Sequence, residues 1–232
     1  MRKSPRPKKQ HKEAGSPAPR AHKFALKLRN PLQEEYWASM KNHPLTFGIG
    51  PAGTGKTFLA VAAACEAFKI GQVKKIILVR PVVEAGEHLG FLPGSFKDKL
   101  DPYLRPMYDS LEQIVGTEAM GKMIEGGAIE VAPLAFMRGR TITDAFLIMD
   151  EAQNTTRIQM KMLLTRIGRN STFVVNGDYT QVDLPGHQKS GLMEAVKLFG
   201  HLDGVEVIEF TGAEIVRHPL VSKMVEIYEG ID

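Results

Sequence analysis

Gly50-Pro-Ala-Gly-Thr-Gly-Lys-Thr57 decides the reading of this chain. It satisfies the pattern G-x-x-x-x-G-K-[ST] at every fixed position. Glycines let successive backbone N–H groups curl around a phosphate with no Cβ in the way. A helix that starts at the loop adds partial positive charge at its N-terminus. The flanking sequence supplies that setting. Leu45-Thr-Phe-Gly-Ile49 reads as a short strand, and residues 56–70 as an alanine-rich helix. Gly50, Pro51, Ala52, Gly53, Thr54 and Gly55 are therefore expected to cradle phosphates. Lys56 is expected to reach the β- and γ-phosphates, and Thr57 to offer its hydroxyl to Mg²⁺. A dinucleotide fingerprint does not fit, because a lysine after Gly55 answers phosphate charge rather than close helix packing.

Downstream, Phe146-Leu-Ile-Met-Asp150-Glu151-Ala-Gln153 is an apolar strand ending in two consecutive carboxylates. Asp150 suits the Mg²⁺ shell. Glu151 suits a base that orients or deprotonates a water beside the γ-phosphate. A plain helix cap is the competing reading of the pair. A third segment, Asn176-Gly-Asp178-Tyr-Thr-Gln181, also follows a buried strand. The Gln181 amide can donate to a γ-phosphate and accept from the attacking water; Asp178 either joins that water network or caps the turn.

The remaining pattern alternates strands and helices. Strands are predicted at 75–79, 128–132, 145–149, 171–175 and 205–210, the last at an edge. Helices are predicted at 33–40, 103–115, 117–125, 159–167, 192–198 and 220–228, with a loop or flap over 81–96. Phe24, Leu26 and Leu28 alternate like a short strand that Pro31 stops. Strands that are apolar throughout imply a sheet covered on both faces. The fold class is α/β: a P-loop domain with a mainly parallel sheet flanked by helices and its ligand beyond the strand ends.

Composition sets the boundaries. The 232 residues fit one large domain, and 43% hydrophobic content excludes a wholly disordered chain. The single cysteine, Cys65, cannot staple a secreted fold, and no apolar run is long enough to cross a membrane. A cytoplasmic protein is expected. Residues 1–29 carry ten Lys and Arg against Glu13, a charge of +9, while the rest of the chain sums to −5. Residues 1–20 hold almost no large apolar groups and are expected to form a disordered basic tail, able to bind polyanions or merely to solubilise. Residues 21–232 are expected to form one domain.

These motifs, in this order, resemble the PhoH-like family of phosphate-starvation-inducible ATPases. The resemblance covers residues 30–230. It extends to Val79-Arg-Pro-Val-Val-Glu-Ala-Gly-Glu-His-Leu-Gly-Phe-Leu-Pro-Gly94, Asp101-Pro-Tyr-Leu-Arg-Pro-Met-Tyr-Asp109, Ala135-Phe-Met-Arg-Gly-Arg-Thr141 and Val216-Arg-His-Pro-Leu-Val221. It implies a RecA-like core similar to one motor domain of superfamily 1 helicases. It also implies Mg²⁺-dependent ATP hydrolysis, ring oligomers, most often hexamers, and a link to RNA metabolism. Lys56, Thr57, Asp150, Glu151 and Gln181 match the family's motor motifs. Gln33 matches a glutamine that reads the adenine edge in related helicases, and Arg217 a late arginine suited to the γ-phosphate. Ala152 stands where some relatives carry serine. Some relatives add a nuclease-type or RNA-binding domain that finds no room in these residues.

One motor domain leaves one side of a nucleotide open, so a neighbouring copy is expected to close it with an arginine. Arg217 comes first, with Arg138, Arg140, Arg157 and Arg166 as rivals; Arg138 and Arg140 also suit a nucleic-acid backbone. The 80–94 loop suits a nucleic-acid or neighbour contact. Tyr36 and Trp37 suit either stacking on adenine or core packing. Two functional classes follow: an oligomeric ATPase directed by RNA or single-stranded nucleic acid, and an ATP-dependent scaffold controlling a nuclease or maturation factor. A small-molecule kinase is a minor third reading.

Overall fold

The computed structural model describes residues 26–81, 96–186 and 188–216, with residues 220, 221, 223, 224 and 227 beyond them. The expected basic tail, most of the 80–94 loop and Arg217 lie outside the described residues.

Six strands form one sheet: β1 (Leu45–Ile49), β2 (Lys75–Arg80), β3 (Ile129–Pro133), β4 (Ala145–Met149), β5 (Thr172–Gly177) and β6 (Val205–Glu209). Their spatial order is β3-β2-β4-β5-β1-β6, and every pairing is parallel. Alternation along each strand feeds two cores. Ile76 and Leu78 enter one, and Ile77 and Val79 the other. The first core is closed by α1 (Pro31–Asn42), α2 (Lys56–Lys69), α3 (Phe96–Val115) and α4 (Thr117–Glu125). The second is closed by α5 (Arg157–Leu164) and α6 (Gly191–Phe199). Burial on both faces explains why β1, β4 and β5 tolerate almost no charge. β6, at the edge as expected, is only partly buried.

Helix boundaries move where capping outweighs periodicity. α1 starts at Pro31, two residues before the expected position, because proline at the first turn forfeits no hydrogen bond and the Asn30 side chain accepts from Gln33 N at 2.8 Å. α5 starts at Arg157 and ends at Leu164, where periodicity predicts 159–167. Thr156 and Gln159 form a reciprocal capping box there. α3 begins at Phe96 and runs through Pro102 and Pro106 instead of starting near 103. Leu104, Met107, Leu111 and Ile114 bury one face of it, and that burial offsets the proline cost. Residues 26–29 are irregular rather than a strand, although Leu26 and Leu28 still pack on the first core.

The strand order decides what meets what. β5 lies between β1 and β4, so the end of β5 faces the gap between the phosphate loop and the acidic pair. Gly50 N donates to Gly177 O at 3.0 Å and ties the loop to that strand end.

Candidate functional site

The phosphate loop takes its shape from three glycines at positive φ, Gly50, Gly53 and Gly55. Gly50 has φ +137°, and a Cβ there would lie 2.3 Å from the Phe210 carbonyl oxygen, so only glycine fits. Gly55, at φ +87°, is the N-cap of α2 and contributes no side-chain cap. By contrast α1, α5 and α6 are capped by Asn30, Thr156 and Ser190. The start of α2 thus faces the loop with no acceptor from its N-cap side chain, the arrangement an anionic phosphate fits.

Lys56 is buried, and its Nζ donates to Gly50 O at 2.6 Å, Pro51 O at 2.8 Å and Thr54 Oγ1 at 3.2 Å. Burial pulls its pKa below the usual lysine value, against the opposing charges of Asp178, Asp150 and Glu151. Thr57 Oγ1 donates to Asp150 Oδ1 at 2.8 Å, across 93 residues of sequence. Burial, then the neighbouring Glu151 charge, raises the Asp150 pKa, and the Thr57 hydroxyl opposes that rise. A divalent cation beside Thr57 and Asp150 would relieve both causes, so this pair fits Mg²⁺.

Glu151 sits in the left-handed region at φ +54°, an uncommon conformation for a side chain of its size. Its two carboxylate oxygens are held separately. Arg80 Nη2 lies 3.1 Å from Oε1, and Gln153 Nε2 donates to Oε2 at 2.6 Å. Arg80 also donates to the Tyr103 carbonyl at 2.8 Å, which anchors the guanidinium to α3. Gln153 is fully buried; it also donates to Gln181 O at 3.1 Å and accepts from Asp178 N at 3.0 Å. Sequence reading singles out neither Arg80 nor Gln153. A cation ending an apolar strand and an amide two residues past the acids are the available signals.

Gln181 is brought to the same place, its Nε2 donating to Asp178 Oδ2 at 2.7 Å. Asp178 also accepts from Thr180 N and Oγ1 through Oδ1, so it does cap its turn. Lys56, Thr57, Asp150, Glu151, Asp178 and Gln181 line one cavity of ≈ 280 Å³. A second cavity of ≈ 720 Å³ shares Gly53, Gly55 and Phe58 with it and reaches Gln33. Gln33 braces the loop: its Nε2 donates to Thr54 O at 3.0 Å while its Oε1 accepts from Arg29 N at 2.9 Å.

Tyr36 does not stack on a ligand. It is fully buried, its hydroxyl donates to Asn176 Oδ1 at 2.6 Å, and its ring meets Phe210 edge-on at 5.4 Å. Trp37 is partly buried and carries Lys41 Nζ 4.7 Å above its ring. Of the rival arginines, Arg140 grips Glu130 at 2.6 and 3.0 Å. Arg166 donates to the carbonyls of Arg140 and Met162. Arg157 pairs with Glu194 at 3.2 Å, while Arg138 is exposed.

A family model described as "PhoH-like protein" matches residues 25–229. The chain is 54% identical over 205 residues to a PhoH-like protein of Bacillus subtilis, covering 88% of this chain and 64% of that one. It is 44% identical over 202 residues to Protein PhoH of Escherichia coli K12, covering 86% of this chain and 57% of that one. The chain thus spans less than two thirds of the length of these relatives. Among solved structures, the large terminase of a thermophilic bacteriophage matches with a TM-score of 0.52 at 9% identity, over 86% of this chain and 50% of that one, a likeness of fold. Among the described residues, no helix is long and apolar enough to cross a membrane.

Proposed function

This chain belongs to the PhoH-like family of P-loop ATPases, and we propose that it hydrolyses ATP as a multi-copy assembly directed by RNA. The observation that carries this reading is the uncapped start of α2 facing the Asp150–Glu151 pair, with Thr57 bonded to Asp150. Backbone N–H groups from Gly53 to Gly55 and the Lys56 ammonium would hold the phosphates. Thr57 and Asp150 would hold Mg²⁺, which when bound neutralises charge on the β- and γ-phosphate oxygens. Glu151 would take a proton from the attacking water, and Gln181 would orient that water. Gln33 would set the loop against the base of the nucleotide, and Arg217 of a neighbouring copy would stabilise charge on the γ-phosphate.

Residues 21–232 would then be one ATPase domain and residues 1–20 a basic tail. The +9 charge of residues 1–29 supports a polyanionic partner. A cytoplasmic hexamer serving RNA metabolism, working beside a nuclease or maturation factor, completes the reading.

The test is ATP turnover measured with and without single-stranded RNA and DNA across a range of protein concentrations. Expected are stimulation by the strand and turnover per protein that rises with concentration. Turnover indifferent to nucleic acid, together with ATP-dependent capture of a single protein, would overturn the RNA-directed part in favour of a scaffold. Absence of hydrolysis under all conditions would overturn the whole.

A further inference from the structure

A groove of ≈ 890 Å³ opens between the starting ends of α5 and α6, on the opposite face of the sheet from α2. Ile158 is 81% exposed on its rim, with Met193 at 43% and Val182 at 41%. Lys189 and Lys197 also line it, exposed and in no ion pair with another described residue. Glu194, the acid that lines it, is paired with Arg157. This cationic, apolar surface sits on a body whose charge beyond residue 29 sums to −5.

We infer that this groove is where a single nucleic-acid strand docks, an inference that rests on the RNA-directed reading above and locates its binding surface. Phosphates would meet Lys189 and Lys197, and the apolar parts of sugars and bases would contact Ile158, Val182 and Met193. A protein partner is less well matched, because lysine is depleted from the cores of protein interfaces, whereas phosphate backbones require cations.

One wall of the groove is fastened to Gln153, which holds Glu151, and the other to Thr155, two residues further along the same turn. Ile158 follows Thr156, which bridges to Ser190, and Gly191 N donates to Thr155 O at 2.7 Å. On the other wall Val182 lies between Gln181, whose carbonyl accepts from Gln153, and Asp183. Asp183 N donates to Asn154 Oδ1 at 2.7 Å, and the Asn154 amide returns a bond to Asp183 Oδ2 at 3.2 Å. Gln153 in turn holds Glu151. A strand that seats between the walls shifts the turn carrying Gln153, and through it the carboxylate of the base. Docking is thereby coupled to hydrolysis.

The experiment compares the full chain with Lys189→Ala/Lys197→Ala. It measures binding of fluorescent single-stranded RNA over a salt series, stimulation of ATP turnover relative to turnover without RNA, and sites of crosslinking to 4-thiouridine RNA. Losing two phosphate contacts should lower the slope of log affinity against log salt by about 1.4, at roughly 0.7 per contact, and reduce stimulation with it. Crosslinks should fall on peptides containing Ile158 or Met193. Unchanged affinity and slope, with crosslinks confined to residues 1–29, would overturn the groove while leaving the RNA-directed reading intact. A changed oligomeric mass with unchanged RNA binding would mark the groove as an interface between copies and also overturn it. Wild-type protein that neither binds nor responds to RNA would overturn the groove and the reading together.

Discussion

Arg80 and Glu151 meet across 3.1 Å at the ends of adjacent strands, and the same guanidinium is anchored to the Tyr103 carbonyl of α3. The base of the proposed reaction is therefore positioned by a side chain from β2 as well as by Gln153. Arg80→Gln should lower single-turnover hydrolysis by about tenfold with ATP affinity little changed, because it loosens orientation and leaves the phosphate loop intact. Arg80→Lys should recover part of the rate. A large loss of affinity in Arg80→Gln would show that the residue acts on nucleotide binding instead.

The phosphate loop and the base separate in the same assay. Lys56→Ala removes the buried cation and should abolish most ATP affinity. Glu151→Gln keeps the shape of the side chain and should retain ATP while slowing hydrolysis by ~10² or more. Near-normal turnover in Glu151→Gln would remove it from the role of base.

Tyr36 offers a test of structure against ligand contact. Its hydroxyl is the partner of Asn176 Oδ1, while Asn176 Nδ2 is buried with no hydrogen-bond partner among the described residues. Tyr36→Phe leaves both ends of a buried amide without a partner and should cost about 1–3 kcal/mol of stability. ATP affinity should stay the same, since the ring packs on Phe210 inside the core. Denaturant unfolding and nucleotide titration of the one variant distinguish the two effects. A fall in affinity at unchanged stability would return Tyr36 to the ligand.

The parts of the site that were legible in the sequence share one property: their chemistry lies in contiguous residues. Gly50 to Thr57 and the Asp150–Glu151 pair announce themselves because backbone shape and local charge suffice to define them. Arg80 and Gln153 were not legible in that way. Arg80 reaches Glu151 only because β2 and β4 are neighbours in the sheet, 71 residues apart in the chain. Gln153 acquires its role from Asp178 and Gln181, which the placement of β5 beside β4 brings to it. Tyr36 was ambiguous for a related reason, since a helical pattern gives a spacing and not which face of the helix is covered. The expected start of α3 near 103 falls seven residues past its observed start at Phe96.

Glu130 makes a pH-dependent contribution away from the site. Hydrogen bonds from Arg140, assisted by Lys75 at 2.7 Å and opposed by partial burial, hold its carboxyl down at about 2, below the usual 4.5. A depressed folded-state pKa stabilises fully above the unfolded value and loses that stabilisation as pH falls from about 4.5 toward about 2. Glu130→Gln should therefore cost about 1–2 kcal/mol near neutrality, less than the full shift implies because the bridge is partly screened by solvent. The gap between variant and wild type in denaturant midpoint should narrow between pH 4.5 and the acid limit of folding. A gap that is constant with pH would mean that packing, not charge, sets the effect.

The last prediction concerns which arginine completes the nucleotide site, and from which copy. Arg140 and Arg166 are engaged in bonds within their own chain, and Arg157 is paired with Glu194. That leaves Arg138, which is exposed, and Arg217 as the candidates. Val216 N donates to Gly53 O at 2.9 Å, so the residue before Arg217 is fastened to the phosphate loop of its own chain. If the arginine acts across copies, Arg217→Ala should retain ATP binding and fold while losing hydrolysis, since it acts on charge that develops in the transition state. Mixed with Glu151→Gln, it should regain turnover at interfaces that pair one intact Glu151 with one intact Arg217. Light scattering of the mixture establishes that the two variants co-assemble. Recovery in the mixture would establish the shared site, and loss of hydrolysis in Arg138→Ala alone, with hydrolysis retained in Arg217→Ala, would move the role to Arg138. Failure of complementation in proven mixed assemblies would instead assign Arg217 to its own chain's nucleotide and overturn the shared site.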